Sequence, residues 1–115
     1  IFYVNWFRKD ENGKWLWPGF GENSRVLKWI VERVNGEGKA EKTPIGYMPT
    51  VDAIDIEGLD VPVEDMKELL TVNKEGWLRE VESIKKHYDN YGEKLPKELI
   101  AQLHALEERL SNYQE

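Results

Sequence analysis

The sequence predicts an α+β fold dominated by helices, with a short N-terminal strand or hairpin followed by about four helices. The first seven residues, IFYVNWF, are β-branched and aromatic, which favours a strand. Asn12-Gly13 is a strong tight-turn signal, so Trp15 and Leu16 are expected to begin a returning strand. Apolar residues recur at helical spacing in the C-terminal half, which predicts amphipathic helices there.

The first helix is predicted from about Ser24 to Val34. Asn23 or Ser24 can cap its N-terminus, and Asn35-Gly36 ends it. Its apolar face is expected to comprise Leu27, Ile30, Val31 and Val34. Residues 36–62 are rich in Gly and Pro without any period, which predicts a long irregular connection. A short helix is predicted at Val63–Leu70.

Two apolar stripes at spacings of four and three predict the last two helices. The first stripe is Trp77, Val81, Ile84, Tyr88 and Tyr91; the second is Leu99, Leu103, Leu106, Leu110 and Tyr113. Gly92 is expected to end the first of these helices, and Pro96 suits the first turn of the second. The two should form an antiparallel helical hairpin. The whole chain, 1–115, is predicted to be a single domain.

Composition narrows the classes of function. The 115 residues carry a net charge of −6, and the C-terminal half is strongly acidic, which argues against nucleic-acid binding. The chain has no Cys and no apolar run of transmembrane length, so we expect a cytoplasmic protein without a membrane partner. It opens on Ile and an apolar strand pattern, so we expect a piece excised from a longer protein.

No residue pattern predicts a catalytic residue or a metal ligand. His87 and His104 lie beside the helical stripes without a partner at ligand spacing. The acidic residues Asp52, Asp55, Glu57 and Asp60 do not fit a calcium loop and are better explained as a solvated loop. The GEGK of residues 36–39 follows a helix and lacks the spacing of a phosphate loop.

The segment WLWPGFGENSR, residues 15–25, crowds aromatic side chains into a turn. Such a cluster can be a small core under a loop. It can also be a slot for a flat ring, since aromatic stacking on a base contributes about 1–3 kcal/mol. Asn23 offers both a donor and an acceptor to a base edge, and Gly19 and Gly21 let the backbone come close to a ligand.

The longer segment that contains this turn, VNWFRKDENGKWLWPGFGENSRVLKWI, resembles the C-terminal signature of GTP-dependent phosphoenolpyruvate carboxykinase. TPIGYMP and the closing pattern of Trp, Leu and Arg residues are similar to the same family, and the resemblance covers essentially the whole chain. It implies that the chain is the C-terminal, guanine-recognising segment of a larger α/β enzyme.

The resemblance implies a guanine-nucleotide site made of Phe7, Trp15, Phe20, Gly21, Glu22 and Asn23. In the family, aromatic residues at the positions of Phe7 and Phe20 sandwich the guanine ring, and Asn23 contacts its edge. Trp15 stands where the family usually has Phe. The larger ring would crowd the slot or stack over more area.

The implied reaction converts oxaloacetate and GTP to phosphoenolpyruvate, GDP and CO₂, with Mn²⁺ or Mg²⁺, in gluconeogenesis or anaplerosis. The family's phosphate loop, metal ligands and lid lie upstream, so the metal is not expected to bind this segment. The 115-residue chain alone is therefore expected to be inactive. We also expect it to self-associate, through the unpaired edge of its N-terminal strand or through its aromatic face, whereas the parent enzyme is expected to be a monomer. The alternative is a non-catalytic protein-interaction module that uses an exposed Trp-rich turn.

Overall fold

The computed structural model describes all residues from Ile1 to Glu115 and confirms the helix-dominated α+β class. Its helices are α1 (Asn23–Val34), α2 (Val63–Leu70), α3 (Lys74–Tyr88) and α4 (Lys97–Asn112), with 3₁₀ turns at Phe20–Glu22 and Gly92–Lys94. One two-stranded sheet pairs β1 (Ala40–Thr43) with β2 (Gly46–Pro49). None of the helices combines the length and the apolar character that a membrane crossing requires.

The predicted N-terminal strand is wrong, because residues 1–7 form no strand. A strand needs a partner, and no segment of the chain pairs with these residues. The turn at Asn12-Gly13 is confirmed: Gly13 has a φ of 82°, and its amide donates to the carbonyl oxygen of Asp10 at 3.1 Å. The hairpin around it is reduced to one antiparallel bridge between Lys9 and Trp15.

The regular strands lie within residues 36–62, where the sequence predicts irregular structure throughout. A two-residue loop, Pro44-Ile45, joins β1 to β2. The hydroxyl of Thr43 donates to the carbonyl oxygen of Gly46 at 2.7 Å, and Gly46 has a φ of 125°. Glycine is needed there because a side chain would strain that backbone conformation.

Helix α1 has nearly the predicted bounds but a different buried face. Trp29 is buried, with Val26 and Ile30 partly buried beside it, while Leu27, Val31 and Val34 of the predicted face are exposed. The indole nitrogen of Trp29 donates to the carbonyl oxygen of Lys39 at 2.8 Å. A buried indole N–H needs such an acceptor, which explains why the face of α1 that carries Trp29 is the buried one.

The ends of α1 are a mixed result. Asn35-Gly36 ends the helix as predicted, with Gly36 at a φ of 82°. The predicted side-chain cap by Asn23 or Ser24 is wrong, because no side chain caps the helix. The side-chain oxygen of Asn23 accepts a hydrogen bond from an indole instead.

The chain forms two compact units. The first comprises Ile1–Lys42 and Tyr47–Thr71, and the second comprises Thr43–Gly46 and Val72–Glu115. The core of the first unit is a cluster of Trp17, Trp29, Ile54 and Met66. Trp17 comes from the turn before α1 and Ile54 from the loop before α2, while Trp29 and Met66 belong to α1 and α2 themselves. The core therefore joins all four segments.

In the second unit, α3 and α4 form the predicted antiparallel helical hairpin. The ammonium group of Lys74, at the start of α3, donates to carbonyl oxygens at the end of α4, those of Ser111 and Tyr113, each at 3.0 Å. Val72, Val81, Leu103 and Leu110 are the buried apolar residues of this unit. Helix α3 ends at Tyr88, before the predicted Gly92.

Candidate nucleotide-binding site

The turn after residue 7 brings Phe7 and Trp15 together. Their ring centroids are 6.2 Å apart at an interplanar angle of 65°. Both side chains are largely exposed, at 73% and 52%. The ammonium group of Lys9 lies 4.2 Å from the centroid of the Trp15 ring and covers one of its faces. The aromatic pair therefore offers open ring surface to a ligand.

The turn that carries Phe7 and Trp15 is held against α2 by side-chain contacts. A guanidinium nitrogen of Arg8 donates to the carbonyl oxygen of Leu69 at 2.8 Å, at the end of α2. Lys14 lies 3.6 Å from the carboxylate of Asp65 on the same helix. Leu16, the residue after Trp15, is only 2% exposed. The exposed rings thus belong to a turn that Arg8 and Lys14 link to α2, and the residue that follows Trp15 is buried.

Phe20 lies in the next turn, the 3₁₀ turn Phe20–Glu22. Gly19 has a φ of 111°, and its carbonyl oxygen accepts the amide of Glu22 at 3.0 Å, which closes the 3₁₀ turn. Phe20 is 94% exposed and pairs with no other aromatic ring of the chain. Beside Gly21 the space is open, since a Cβ there would meet no atom within 4 Å.

Asn23 is held by a buried tryptophan, Trp17. The indole nitrogen of Trp17 donates to Oδ1 of Asn23 at 2.8 Å, and Trp17 is 6% exposed. The backbone amide of Asn23 donates to the carbonyl oxygen of Phe20. Trp17 is not among the site residues that the sequence predicts. The signal that could have found it is chemical: a buried Trp requires an acceptor, and Asn23 is close in sequence.

Glu22 is engaged by Arg25 rather than free. The Arg25 Nε lies 2.6 Å from the Glu22 carboxylate, and Nη1 donates to the carbonyl oxygens of Asp55 and Glu57 at 3.0 and 2.9 Å. The backbone N–H of Glu57 and then the ammonium group of Lys28 lower the pKa of Asp55. Arg25 therefore joins the turn before α1 to the acidic loop in an open polar depression.

The remaining candidates have ordinary surroundings. His87 and His104 are exposed, and the hydroxyl of Tyr91 lies 3.4 Å from Nε2 of His87. In the acidic loop, Asp52 is paired with Lys39 at 2.7 Å. No group of three or more His, Asp or Glu side chains is arranged to hold a metal ion.

Of the six predicted site residues, the structure brings Phe7 and Trp15 into one pair and places Asn23 and Glu22 at the start of α1. Phe20 and Gly21 form the turn that leads into this helix. The arrangement provides exposed aromatic faces, an amide of fixed orientation and a helix N-terminus. Together these groups suit a ligand with a flat, polar-edged ring.

Comparison with known proteins places the chain in a family. Residues 1–109 match the model of the phosphoenolpyruvate carboxykinase C-terminal P-loop domain. The chain is 61% identical over 111 residues to a phosphoenolpyruvate carboxykinase [GTP] from Neocallimastix frontalis. It is 55% identical over 113 residues to the cytosolic phosphoenolpyruvate carboxykinase [GTP] of Bos taurus. It is 47% identical over 110 residues to the phosphoenolpyruvate carboxykinase [GTP] of Corynebacterium efficiens.

Each alignment covers 96% of this chain and 18% of the relative, so the chain spans about a fifth of the length of these curated relatives. The family match extends over nearly the whole chain, and the identities lie far above the level at which family membership is in doubt. The chain therefore belongs to the GTP-dependent phosphoenolpyruvate carboxykinase family.

Proposed function

We propose that this chain is the C-terminal part of a GTP-dependent phosphoenolpyruvate carboxykinase and supplies the walls and edge of its guanine site. The observation that carries the proposal is the exposed pair of aromatic rings, Phe7 and Trp15. The amide of Asn23, which a buried indole holds in place, supports it. Large apolar rings that stay exposed as a pair are typical of a surface that binds a ligand or a partner, which supports the proposal.

The two kinds of group do different work. The faces of Phe7, Trp15 and Phe20 stack on a purine without distinguishing one base from another. Asn23 is the group that can read the base edge, because an amide offers directional hydrogen bonds. Gly21 leaves open space beside the turn, so a ring can approach the backbone there.

The reaction of the whole enzyme requires groups that this chain lacks. The proposed reaction turns oxaloacetate and GTP into phosphoenolpyruvate, GDP and CO₂. Phosphoryl transfer needs a phosphate cradle and metal ligands. No group of acidic and His side chains here fits Mn²⁺ or Mg²⁺, so we assign no metal to this segment. The chain alone is accordingly expected to show no turnover of oxaloacetate with GTP and Mn²⁺.

The setting proposed for the whole enzyme follows its relatives. The bovine relative is named as a cytosolic enzyme, which supports a cytoplasmic location. We propose a guanine nucleotide and the rest of the enzyme as the partners of this segment, and a monomeric parent. Gluconeogenesis or anaplerosis is the proposed metabolic role.

Tryptophan fluorescence tests the nucleotide assignment directly. Trp15 is half exposed and lies in the proposed site, so GDP should quench its emission more strongly than ADP at equal concentration. Trp15→Phe should remove most of the GDP-dependent change, while Trp29→Phe, at a buried position outside the site, should keep it. Equal responses to the two nucleotides, or none, would contradict guanine recognition and favour an interaction module.

A further inference from the structure

We propose that Trp17 is a positioning residue that fixes the orientation of the Asn23 side-chain amide. Because Oδ1 accepts the indole hydrogen bond, only the Nδ2 donor is left to contact a base. The inference rests on the proposed function and adds to it a residue that selects one class of purine. It is carried by the hydrogen bond between the Trp17 indole and Asn23 Oδ1, at 2.8 Å.

The chemistry of the two side chains decides which way the amide faces. The indole N–H can only donate, and the amide has one acceptor atom, Oδ1. The hydrogen bond is possible only when Oδ1 faces Trp17 and Nδ2 faces away from it. The orientation of an Asn amide is often ambiguous. Here the donor-only partner resolves it, and the acceptor of Asn23 is already occupied.

Both ends of this arrangement are fixed. Trp17 is 6% exposed and packs in the core cluster with Trp29, Ile54 and Met66. The backbone amide of Asn23 donates to the carbonyl oxygen of Phe20, which holds the main chain at the start of α1. The indole can therefore not follow the amide if the amide turns over.

The Nδ2 group is free to bind a ligand. It donates to no other group of the protein, and the chain contains no buried side-chain nitrogen or oxygen without a partner. Nδ2 of Asn23 consequently reaches solvent. It lies on the same short segment as Phe20 and Gly21, next to the open turn.

A donor at this position distinguishes the two classes of purine. A 6-oxo purine such as guanine carries an acceptor at C6, whereas a 6-amino purine such as adenine carries a donor there. Nδ2 can donate to the acceptor of a 6-oxo purine. Beside a 6-amino purine, two donors face each other, so the hydrogen bond is lost while both groups are still desolvated. Without the Trp17 N–H, the amide can rotate and present Oδ1 to adenine.

The test is made in the full-length carboxykinase that carries this segment. Trp17→Phe removes the indole N–H and retains a buried aromatic ring. The ratio of kcat/KM for GTP to that for ATP should fall about tenfold, the size of one hydrogen bond. Much of this change should come from improved use of ATP, because the freed amide accepts adenine.

Trp29→Phe is the matched control. Trp29 is 5% exposed and belongs to the same core cluster, and its indole donates at 2.8 Å to the carbonyl oxygen of Lys39 instead of to Asn23. Both variants lose one buried indole hydrogen bond, so both should lower the melting temperature. Only Trp17→Phe should change the nucleotide ratio. An equal change in both variants would overturn the positioning role.

Asn23→Asp tests the same idea without altering the core. Trp17 then holds one carboxylate oxygen and the other oxygen is an acceptor, so the preference should shift toward ATP. An unchanged preference for GTP in Asn23→Asp would overturn the proposal even if Trp17→Phe fails to fold.

Asn23→Ala separates this inference from the proposed function. If Asn23→Ala lowers the GTP-to-ATP ratio and Trp17→Phe leaves it unchanged, Trp17 is only structural and the guanine site stands. If Asn23→Ala leaves the ratio unchanged as well, edge recognition by Asn23 is itself wrong. In the double variant Trp17→Phe, Asn23→Ala, the ratio should equal that of Asn23→Ala alone.

Discussion

The ammonium nitrogen of Lys39 lies 2.7 Å from a carboxylate oxygen of Asp52. The hydroxyl of Thr50 donates to the other oxygen of Asp52 at 2.6 Å. These hydrogen bonds, that of Lys39 first, lower the pKa of Asp52 to about 2 from an ordinary value of 3.8, and the same contact raises the pKa of Lys39. The pair joins the residue before β1 to the loop that follows β2.

This ion pair should make stability depend on pH in acid. The pKa of Asp52 is lower in the folded chain than in the unfolded chain, so the unfolded state binds a proton first as pH falls. The stabilisation is complete well above pH 3.8 and is lost as pH falls from 3.8 to about 2. Urea unfolding across this window should show the wild type and Asp52→Asn converging in stability.

Lys39→Met provides the control for this pH dependence. Without the ammonium group, the pKa of Asp52, measured by NMR from its carboxyl carbon, should rise toward its ordinary value. A titration midpoint that stays near 2 in Lys39→Met would show that Thr50 and the backbone, and not Lys39, hold the carboxylate ionised.

Asn23 and Phe20 should differ in how their loss affects nucleotide binding by the full-length enzyme. Asn23→Ala should reduce the preference for GTP over ATP by about 1–3 kcal/mol, because a base-edge group goes unpaired. Phe20→Ala should weaken the binding of GTP and of ATP alike by about 1–3 kcal/mol, since stacking does not depend on the hydrogen-bonding groups at the base edge. Dissociation constants for GTP and ATP measured for both variants would decide the assignment. An unaltered GTP-to-ATP ratio in Asn23→Ala would remove that role.

The exposed apolar face of α1 should cause the 115-residue chain to self-associate. Leu27, Val31 and Val34 are 54%, 58% and 73% exposed and lie on one side of the helix. Pairing through an N-terminal strand edge is no longer a route, because that strand does not form. Leu27→Glu should reduce association in sedimentation velocity over a wide concentration range. Asn35→Asp adds the same charge beyond the helix and should have little effect.

Leu110 should dominate the stability of the α3–α4 hairpin. Its side chain is fully buried, so Leu110→Ala should cost about 2–5 kcal/mol through lost packing and the cavity left behind. Leu99→Ala on the same helix, at 43% exposure, should cost about 1 kcal/mol or less. Urea unfolding monitored by far-UV circular dichroism compares the two. Equal losses would mean that Leu110 has no special packing role.

The helices could be predicted because local signals fix them. The Asn35-Gly36 stop and the two apolar stripes in the C-terminal half depend only on residues close in sequence. The buried face of α1 could not be predicted, since it depends on where the Trp29 indole finds its acceptor at Lys39. Residues 1–7 have the composition of a strand, but Phe2 packs edge-on against Trp29 instead, with ring centroids 5.9 Å apart.

The site could be predicted only in part for a similar reason. The aromatic crowding and the family signature are visible in the sequence, and the turn at Asn12-Gly13 explains why Phe7 and Trp15 meet. The role of Trp17 depends on a side-chain hydrogen bond, which residue spacing does not specify. The assignment of a guanine nucleotide to these residues stays a prediction.

The anchoring of the Phe7–Trp15 turn to α2 has a consequence for the order in which the chain folds. The hydrogen bond from Arg8 to Leu69 links residues 61 positions apart, so a long loop must close before it forms. The contacts between α3 and α4 join two consecutive helices and close much shorter loops. Local contacts form faster than distant ones. During refolding, the helical hairpin should therefore acquire protected amides before the support beneath the aromatic pair exists.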